Sequence, residues 1–302
     1  MSKPTILVFA YHDVGYECLD ALIQNDEYIV AVVTHKDNPD EEIWFRSVAG
    51  LAKKYGIPVY APESVNTPAW IEQIRAWGPD LIFSFYYRNM IQEEILNIPR
   101  LGAFNMHGSL LPRYRGRVPI NWAILNGEKQ TGVTLHHMVK KADAGDIVDQ
   151  ESVAIGLEDT AQDVFGKCVK AARLVLERRL DELTGGTAPR RPQDESQATY
   201  FGGRKPEDGR IDWTKSAEAI YNLVRAVTQP YPGAFTAVGA KKLFVWWAKP
   251  APGSGGKPGE VLSLDPLLVA TGNGSLEIIN AEWEDAADDD LSGLKVGQIL
   301  GT

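Results

Sequence analysis

The feature that most constrains the fold is the alternation of short apolar runs with helix-like segments through the first half of the chain. Thr5 to Ala10 is an apolar run closed by Tyr11-His12-Asp13, and Tyr16 to Asn25 then reads as a helix. Tyr28 to Thr34 predicts a second strand. Ile43 to Tyr55 predicts a helix stopped by Gly56, because glycine takes the left-handed conformation that ends helices. Pro58 to Tyr60 is a short third strand. Thr67 to Trp77 predicts a helix in which a threonine cap is followed by proline in the first turn. Leu81 to Phe85 and Gly102 to His107 are the fourth and fifth strands. Repeated strand–helix units predict an α/β fold with a doubly wound, mostly parallel sheet. Such sheets bind ligands beyond the C-terminal ends of their strands, here Tyr11 to Gly15, Tyr86 to Met90 and His107 to Arg117. None of these is a GxGxxG turn, and the chain has no GxxxxGK[ST] loop. Neither a dinucleotide fingerprint nor a nucleoside triphosphate loop is therefore expected.

Ala161 to Thr184 reads as a long helix, followed by a Gly/Pro-rich connection. This places a domain boundary near residue 203, with domains over 1–203 and 204–302. In the second, Ser216 to Val227 reads as a helix. Strand-like pieces follow at Ala234 to Val238, Leu243 to Ala248, Gly259 to Leu264, Leu267 to Ala270 and Leu276 to Ala281. Short strands spaced by turns predict a small C-terminal, OB-like β-barrel. Trp246 and Trp247 are expected as one core and one surface residue. Glu282 to Asp290 reads as a solvated acidic loop.

The chain of 302 residues has a net charge of -9, which disfavours bulk nucleic-acid binding because such a surface repels phosphate. Over 204–302 there are 10 Lys+Arg against 13 Asp+Glu, a balance that argues against the basic face an RNA would need. Cys18 and Cys168 are too few for a disulfide framework and read as buried, reduced thiols. No apolar run approaches the ~20 residues of a membrane span, so a cytoplasmic protein without membrane insertion is expected. The spacings offer no metal site. His136 and His137 are adjacent, hence on opposite faces of a strand, and read as structural. His12 and His35 follow the first two strands, where they could line the crevice, and read first as residues of exposed loops.

The chemistry concentrates in FNMHGSLLPRYRGRVPINWAI, residues 104–124. Asn105 and His107 stand at i and i+2 near a strand end, so both side chains point to one face. An imidazole moves a proton near neutral pH, and an amide N–H binds an oxygen that gains negative charge. Asp143, in a loop between Thr131 to Met138 and Ile147 to Val153, is the candidate third member. A carboxylate there would orient the ring and hold its proton. The competing reading is that His107 is a hydrogen-bonded structural residue.

The pattern F-N-x-H-x-S-L-L-P-x-x-R-G, followed by A-I-L-N-G and D-A-G-D, resembles the formyltransferases that use 10-formyltetrahydrofolate. A closer resemblance covers almost the whole chain through FAYHD, THKDNP, YGIPVYAPESVN, IFSFYYR, GAFNMHGSLLPRYRGR, TGVTLHHMVKKADAGDIV, YPGAF and PLLVATG. Those pieces are similar to the formyltransferase domain of bifunctional polymyxin-resistance enzymes, which formylate UDP-4-amino-4-deoxy-L-arabinose for lipid A modification. The resemblance implies a Rossmann-like catalytic domain with His107 as catalytic histidine, Asn105 as oxyanion amide and Asp143 as the carboxylate that holds His107. It implies 10-formyltetrahydrofolate as co-substrate, contacted by Asn89, Met90, Ile91 and Arg117 and by the Val139, Lys140, Lys141, Ala142 and Asp143 loop. The bifunctional enzymes continue into a decarboxylase; that partner, fused or separate, is not in this chain.

The expected acceptor is a nucleotide-linked amino sugar, first UDP-4-amino-4-deoxy-L-arabinose and then another of that class. Initiator methionyl-tRNA is a further alternative, which the acidic second domain disfavours. A sugar diphosphate needs a cation, for which Arg204 is the candidate. Tyr86, Tyr87 and Tyr231 are candidates to stack on or hydrogen-bond the sugar nucleotide, beside a packing role. A non-catalytic folate-binding module and a formate-releasing hydrolase are the readings from other classes.

Overall fold

A computed structural model describes residues 3–39, 42–253, 255–285, 291 and 293–301. By Cα proximity the chain divides into two compact units. The first comprises Met1–Pro119, Gln130–Ala154 and Phe165–Gly202, and the second Ile120–Lys129, Ile155–Val164 and Gly203–Thr302.

The elements run β1 (Thr5–Ala10), α1 (His12–Gln24), β2 (Tyr28–Val33), α2 (Val48–Lys54), β3 (Val59–Tyr60), α3 (Pro68–Trp77), β4 (Leu81–Phe85), α4 (Glu93–Leu96) and β5 (Gly102–His107). They continue with β6 (Arg115–Gly116), α5 (Pro119–Leu125), β7 (Gln130–His137), β8 (Ile147–Ala154), α6 (Ala161–Thr184) and β9 (Tyr200–Phe201). The last are α7 (Ala217–Val227), β10 (Ala234–Val238), β11 (Lys241–Ala251), β12 (Val261–Leu264), β13 (Leu267–Ala270) and β14 (Ser275–Trp283).

In the first unit seven strands form one sheet in the order β3-β2-β1-β4-β5-β7-β8. Pairing is parallel from β3 to β5 and antiparallel from β5 through β7 to β8. Both faces are covered, which explains why β1 and β4 read as apolar runs rather than alternating ones, with the buried Ser84 the polar residue within β4. Leu7, Phe9, Val33 and Ile82 pack with Ile71 and Ile74 of α3 and Ile95 and Leu96 of α4. On the other face, Gly15 of α1 lies so close to Ala10 that an added Cβ would sit 3.1 Å from the Ala10 Cβ. The part of α6 in this unit lies alongside α1, where Arg173 pairs with Glu17 and Asp20. Each fully buried Phe, Leu or Ile here contributes about 1.5–3 kcal/mol relative to exposure. The chain leaves β1 toward β2 and β3, then returns to build β4 and β5 on the other side. Strand order therefore reverses between β1 and β4, and the loops after β1, β4 and β5 share one sheet edge.

Several boundaries depart from the sequence expectations. Helix α1 begins at His12 rather than Tyr16: His12 takes φ 64, which turns the chain from strand to helix in one residue. Helix α2 begins at Val48 rather than Ile43, because the Ser47 side chain caps it by accepting from the Gly50 amide. Trp44 and Phe45 instead pack their rings on His12. His12 is thus half-buried among aromatic rings rather than a residue of an exposed loop, as Phe165 also meets its ring edge at 4.6 Å. Helix α3 agrees with its expectation, with Thr67 as cap and Pro68 in the first turn. Cys18 and Cys168 are buried and unpaired by disulfide.

The second unit carries an antiparallel five-stranded sheet, β10-β11-β14-β13-β12, with α7 against it. Strands β10 and β12 do not pair directly. The C-terminal segment bridges them: Val261 N donates to Gln298 O, Gly297 N to Val261 O, and Gly301 N to Ala237 O. That segment completes the barrel-like closure and covers two edges that would otherwise be open. A register shift places Trp246 as an extra residue between Val245↔Ala281 and Trp247↔Asn280. Inside–outside alternation fails there, so both Trp246 and Trp247 are half-buried rather than one core and one surface. Glu282 and Trp283 belong to β14, which corrects the start of the expected acidic loop; residues 286–290 lie outside the described residues.

Candidate active site

Strand β5 ends in Asn105, Met106 and His107, and its antiparallel partner β7 ends in His136 and His137. The register pairs Asn105 with His136 and His107 with Thr134. Asn105, His107 and His136 come together on this pair, and the turn between β7 and β8 adds Asp143. The Asn105 Nδ2 lies 3.1 Å from His136 Nε2. Asp143 Oδ1 stands 3.5 Å from His107 Nδ1 and 3.6 Å from His136 Nε2. The other ring nitrogens donate to carbonyl oxygens: His107 Nε2 to Tyr114 O at 2.8 Å, and His136 Nδ1 to His137 O at 2.9 Å. Each ring is therefore fixed from its far side and presents the remaining nitrogen to the carboxylate.

Asp143 has φ 55, a left-handed backbone rare outside glycine. Its Oδ2 accepts from the Gly116 amide at 2.9 Å. Burial alone would raise its pKa. The His107 charge, the His136 ring and the Gly116 N–H outweigh burial and hold the carboxyl well below the usual carboxylate range. His107 is 7% exposed, so this charge pairing operates largely out of water.

The loop from Gly108 to Arg117 shapes the cluster from the β5 side. Gly108 lets the Tyr86 hydroxyl approach closely, since a Cβ there would lie 2.1 Å from it and the ring would have to move. Gly116 is required by conformation, with φ 102 and a Cβ position 2.2 Å from Phe201 O. Arg115 between them is 0% exposed and donates to Gln193, Glu195 and the Tyr200 hydroxyl. A buried guanidinium is tolerable only when its donors are matched in this way.

The expected folate-contacting residues divide. Asn89, Met90, Arg117, Val139, Lys140, Lys141 and Ala142 are exposed, whereas Ile91 is buried at 4%. Asn89 donates to Glu63 O, and Asn66 donates to Met90 O, so the segment after β4 is tied to the 63–66 loop. Lys141 pairs with Glu195. A cavity of about 300 Å3 is lined partly by Leu96, Ala103, His137, Met138 and Val139, beside the start of the 139–143 loop. Tyr87 is buried, with its ring stacked on His35 at 4.3 Å and edge-on to Phe9 at 5.2 Å. His35, expected in an exposed loop, is instead half-buried and its Nε2 accepts from the Arg88 amide; burial lowers its pKa to about 4. In the second unit, the Arg204 guanidinium lies 4.9 Å over the Trp122 ring and donates to Asp208 O. Tyr231 is half-buried, and burial pushes its hydroxyl up to about 12.

His136, read from sequence as structural, belongs to the cluster, while His137 faces away and meets Pro189 O. Adjacency on a strand correctly separates the two histidines but does not say which one faces Asn105. The register Asn105↔His136 does, and it is set by pairing between distant segments. Arg115 and Gln193 also join the site without standing among the sequence candidates. The only sequence signal for Arg115 is its place in the quoted motif, and Gln193 has none.

The formyl transferase family model matches residues 3–180, and its C-terminal domain model matches residues 204–290. Among solved structures, the sugar 3N-formyl transferase WlaRD, studied with dTDP and 5-N-formyl-THF, matches at TM-score 0.70 and 20% identity. That match covers 95% of this chain and 100% of the other. An N-formyltransferase from Helicobacter canadensis, in complex with folinic acid and dTDP-3-aminofucose, matches at TM-score 0.69 and 20% identity over 93% of this chain and 100% of its own. HypX from Aquifex aeolicus, in complex with tetrahydrofolic acid, matches at TM-score 0.64 and 20% identity; this chain is 94% covered and spans 45% of that protein. These structural likenesses establish the fold. The family model, running over more than half of the sequence and through Asn105, His107 and Asp143, establishes that the chain belongs to the formyl transferase family.

Proposed function

We propose that the protein transfers a formyl group from 10-formyltetrahydrofolate to the amino group of a nucleotide-linked amino sugar. We further propose the 4-amino group of UDP-4-amino-4-deoxy-L-arabinose as the acceptor, and lipid A modification as its use. The observation that carries the transfer reaction is the assembly of Asn105, His107 and Asp143, with His136, around one carboxylate. The sugar acceptor draws support from the fold shared with sugar N-formyltransferases over nearly the full length of both chains. The specific sugar rests on the sequence resemblance.

The folate is proposed to lie along the segments after β4 and β7, where Met90 and Val139 are 58% and 46% exposed and leave apolar area for a flat ring. Once bound, 10-formyltetrahydrofolate supplies the activated formyl carbon. Asn105 then presents its amide N–H to the formyl oxygen as that oxygen gains negative charge. His107 is oriented through Nε2 by the Tyr114 carbonyl and moves the proton at Nδ1, on the Asp143 side. The carboxylate stabilises the protonated ring, so that His107 takes the proton from the attacking amine and passes it to the folate nitrogen as the bond from that nitrogen to the formyl carbon breaks. Holding both reactants in line contributes the rest. Arg204 is proposed for the diphosphate, and Tyr87 and Tyr231 for packing near the nucleotide sugar.

The test is mass spectrometry of reactions containing 10-formyltetrahydrofolate and each of several amino sugar nucleotides, with a parallel formate assay. One added formyl group on UDP-4-amino-4-deoxy-L-arabinose supports the full reading. Product only on a dTDP-linked amino sugar replaces the acceptor. Formate without formylated sugar replaces transfer by hydrolysis.

A further inference from the structure

The left-handed backbone of Asp143 needs something to hold it, and the holding group is a side chain from beyond α6. The Gln193 amide nitrogen donates one hydrogen to Asp143 O at 2.8 Å and the other to Gly145 O at 2.7 Å. Its oxygen in turn accepts from Arg115 Nε at 3.1 Å and Nη2 at 2.7 Å. The turn is tight at this point, since a Cβ on Gly145 would lie 1.8 Å from His137 O. Two carbonyls directed at one amide group fix the 143–144 and 145–146 peptides, and with them the direction of the Asp143 side chain.

Arg115 links the same relay to His107. Its neighbours on either side touch the cluster through their backbones: Tyr114 O accepts from His107 Nε2, and Gly116 N donates to Asp143 Oδ2. The 199–201 stretch clamps that tripeptide. Arg115 N donates to Thr199 O, Arg117 N to Phe201 O, and Tyr114 N to Thr199 Oγ1. Glu195 and the Tyr200 hydroxyl complete the partners of the guanidinium. A single buried cation thus ties the segment beyond α6 to both the ring and the carboxylate.

We propose that Gln193 is a positioning residue for formyl transfer, setting the Asp143 carboxylate against His107 through the Asp143 and Gly145 carbonyls. This rests on the reaction proposed above. Gln193→Glu retains an acceptor for Arg115 but sets a carboxylate oxygen against two carbonyls, whereas Gln193→Ala removes the link altogether. A displacement of about 1 Å at a reacting group costs on the order of 100-fold in rate. Both variants are expected to lower kcat by about 30- to 100-fold with KM for the amino sugar within about twofold. In an Asp143→Ala background, Gln193→Ala should have no further effect, because the group it positions is gone. The Asp143 carboxyl, followed by carbon-13 NMR and assigned with Asp143→Asn, should titrate at higher pH in Gln193→Ala than in wild type. Near-normal kcat in both Gln193 variants overturns the proposal. So does a loss that persists in full in the Asp143→Ala background, or an unchanged Asp143 titration. If the wild-type protein formylates no amino sugar nucleotide, the proposed function falls by itself, and the carboxyl titration alone decides whether Gln193 sets Asp143.

Discussion

The buried cluster on β5 and β7 and the exposed segments after β4 and β7 solve opposite problems. Asn105, His107, His136 and Asp143 are tied to one another and to fixed carbonyls and amides, with His107 and His136 7% and 2% exposed. Asn89, Met90 and Val139 to Ala142 instead leave their side chains in solvent. Groups that move charge gain from being held still in a dry setting, where each interaction is stronger and needs no reorganisation. Groups that recognise a large ligand must be reachable. Substitutions in the first region should therefore act on kcat, and substitutions in the second on KM.

The sharpest break of that division is at its centre. His107→Ala and Asp143→Ala are each expected to lower kcat by about 10²- to 10⁴-fold, with the circular dichroism of the folded protein retained. A kcat within a few-fold of wild type in either variant would remove that residue from the chemistry. A finer cut separates the neighbouring histidines. His136→Ala should lower kcat about tenfold or more by releasing Asn105 and one side of Asp143. His137→Ala should instead lower stability by about 1–3 kcal/mol, read by denaturant unfolding, because it leaves the Pro189 carbonyl unmatched. Equal kinetic effects at 136 and 137 would blur the boundary between cluster and scaffold.

On the exposed side, Met90→Ala is expected to raise KM for the folate about fivefold, corresponding to ~1 kcal/mol of apolar contact, with kcat almost unchanged. A fall in kcat alone would put Met90 with the chemistry. The smallest effect concerns pH. His35 titrates at about 4 when folded, below its ordinary value near 6.5, so the unfolded chain takes up its proton first. Its contribution to stability is complete above about pH 6.5 and is lost as pH falls toward 4. Gln at position 35 keeps an acceptor for the Arg88 amide without titrating, and His35→Gln should make the stability–pH curve shallower over that interval. An unchanged slope would assign the loss to other groups.

Much of this architecture is local enough to be read along the chain. Strands β4 and β5 and helices α3 and α6 stand where apolar runs, caps and periodicity put them. The placement of Asn105, His107 and Asp143 in one cluster also agrees with the motif reading. What escaped depends on contacts between distant segments. Sequence alone leaves His12 in a loop because nothing adjacent announces that Trp44, Phe45 and Phe165 gather on it. The two tryptophans of β11 follow a bulge whose cause is register with β14, and alternation within a strand cannot report that. His136 and Gln193 reach the site through strand pairing and through a relay spanning 78 positions from Arg115, which no local pattern encodes.

The most direct test of the central claim is transfer of a carbon-13-labelled formyl group from 10-formyltetrahydrofolate to an amino sugar nucleotide, followed by NMR in wild type and in His107→Ala at saturating substrates. The account predicts that the label appears as an amide on the sugar nitrogen in wild type, and appears there at least about 100-fold more slowly in the variant. Equal rates of amide formation in the two proteins would contradict it.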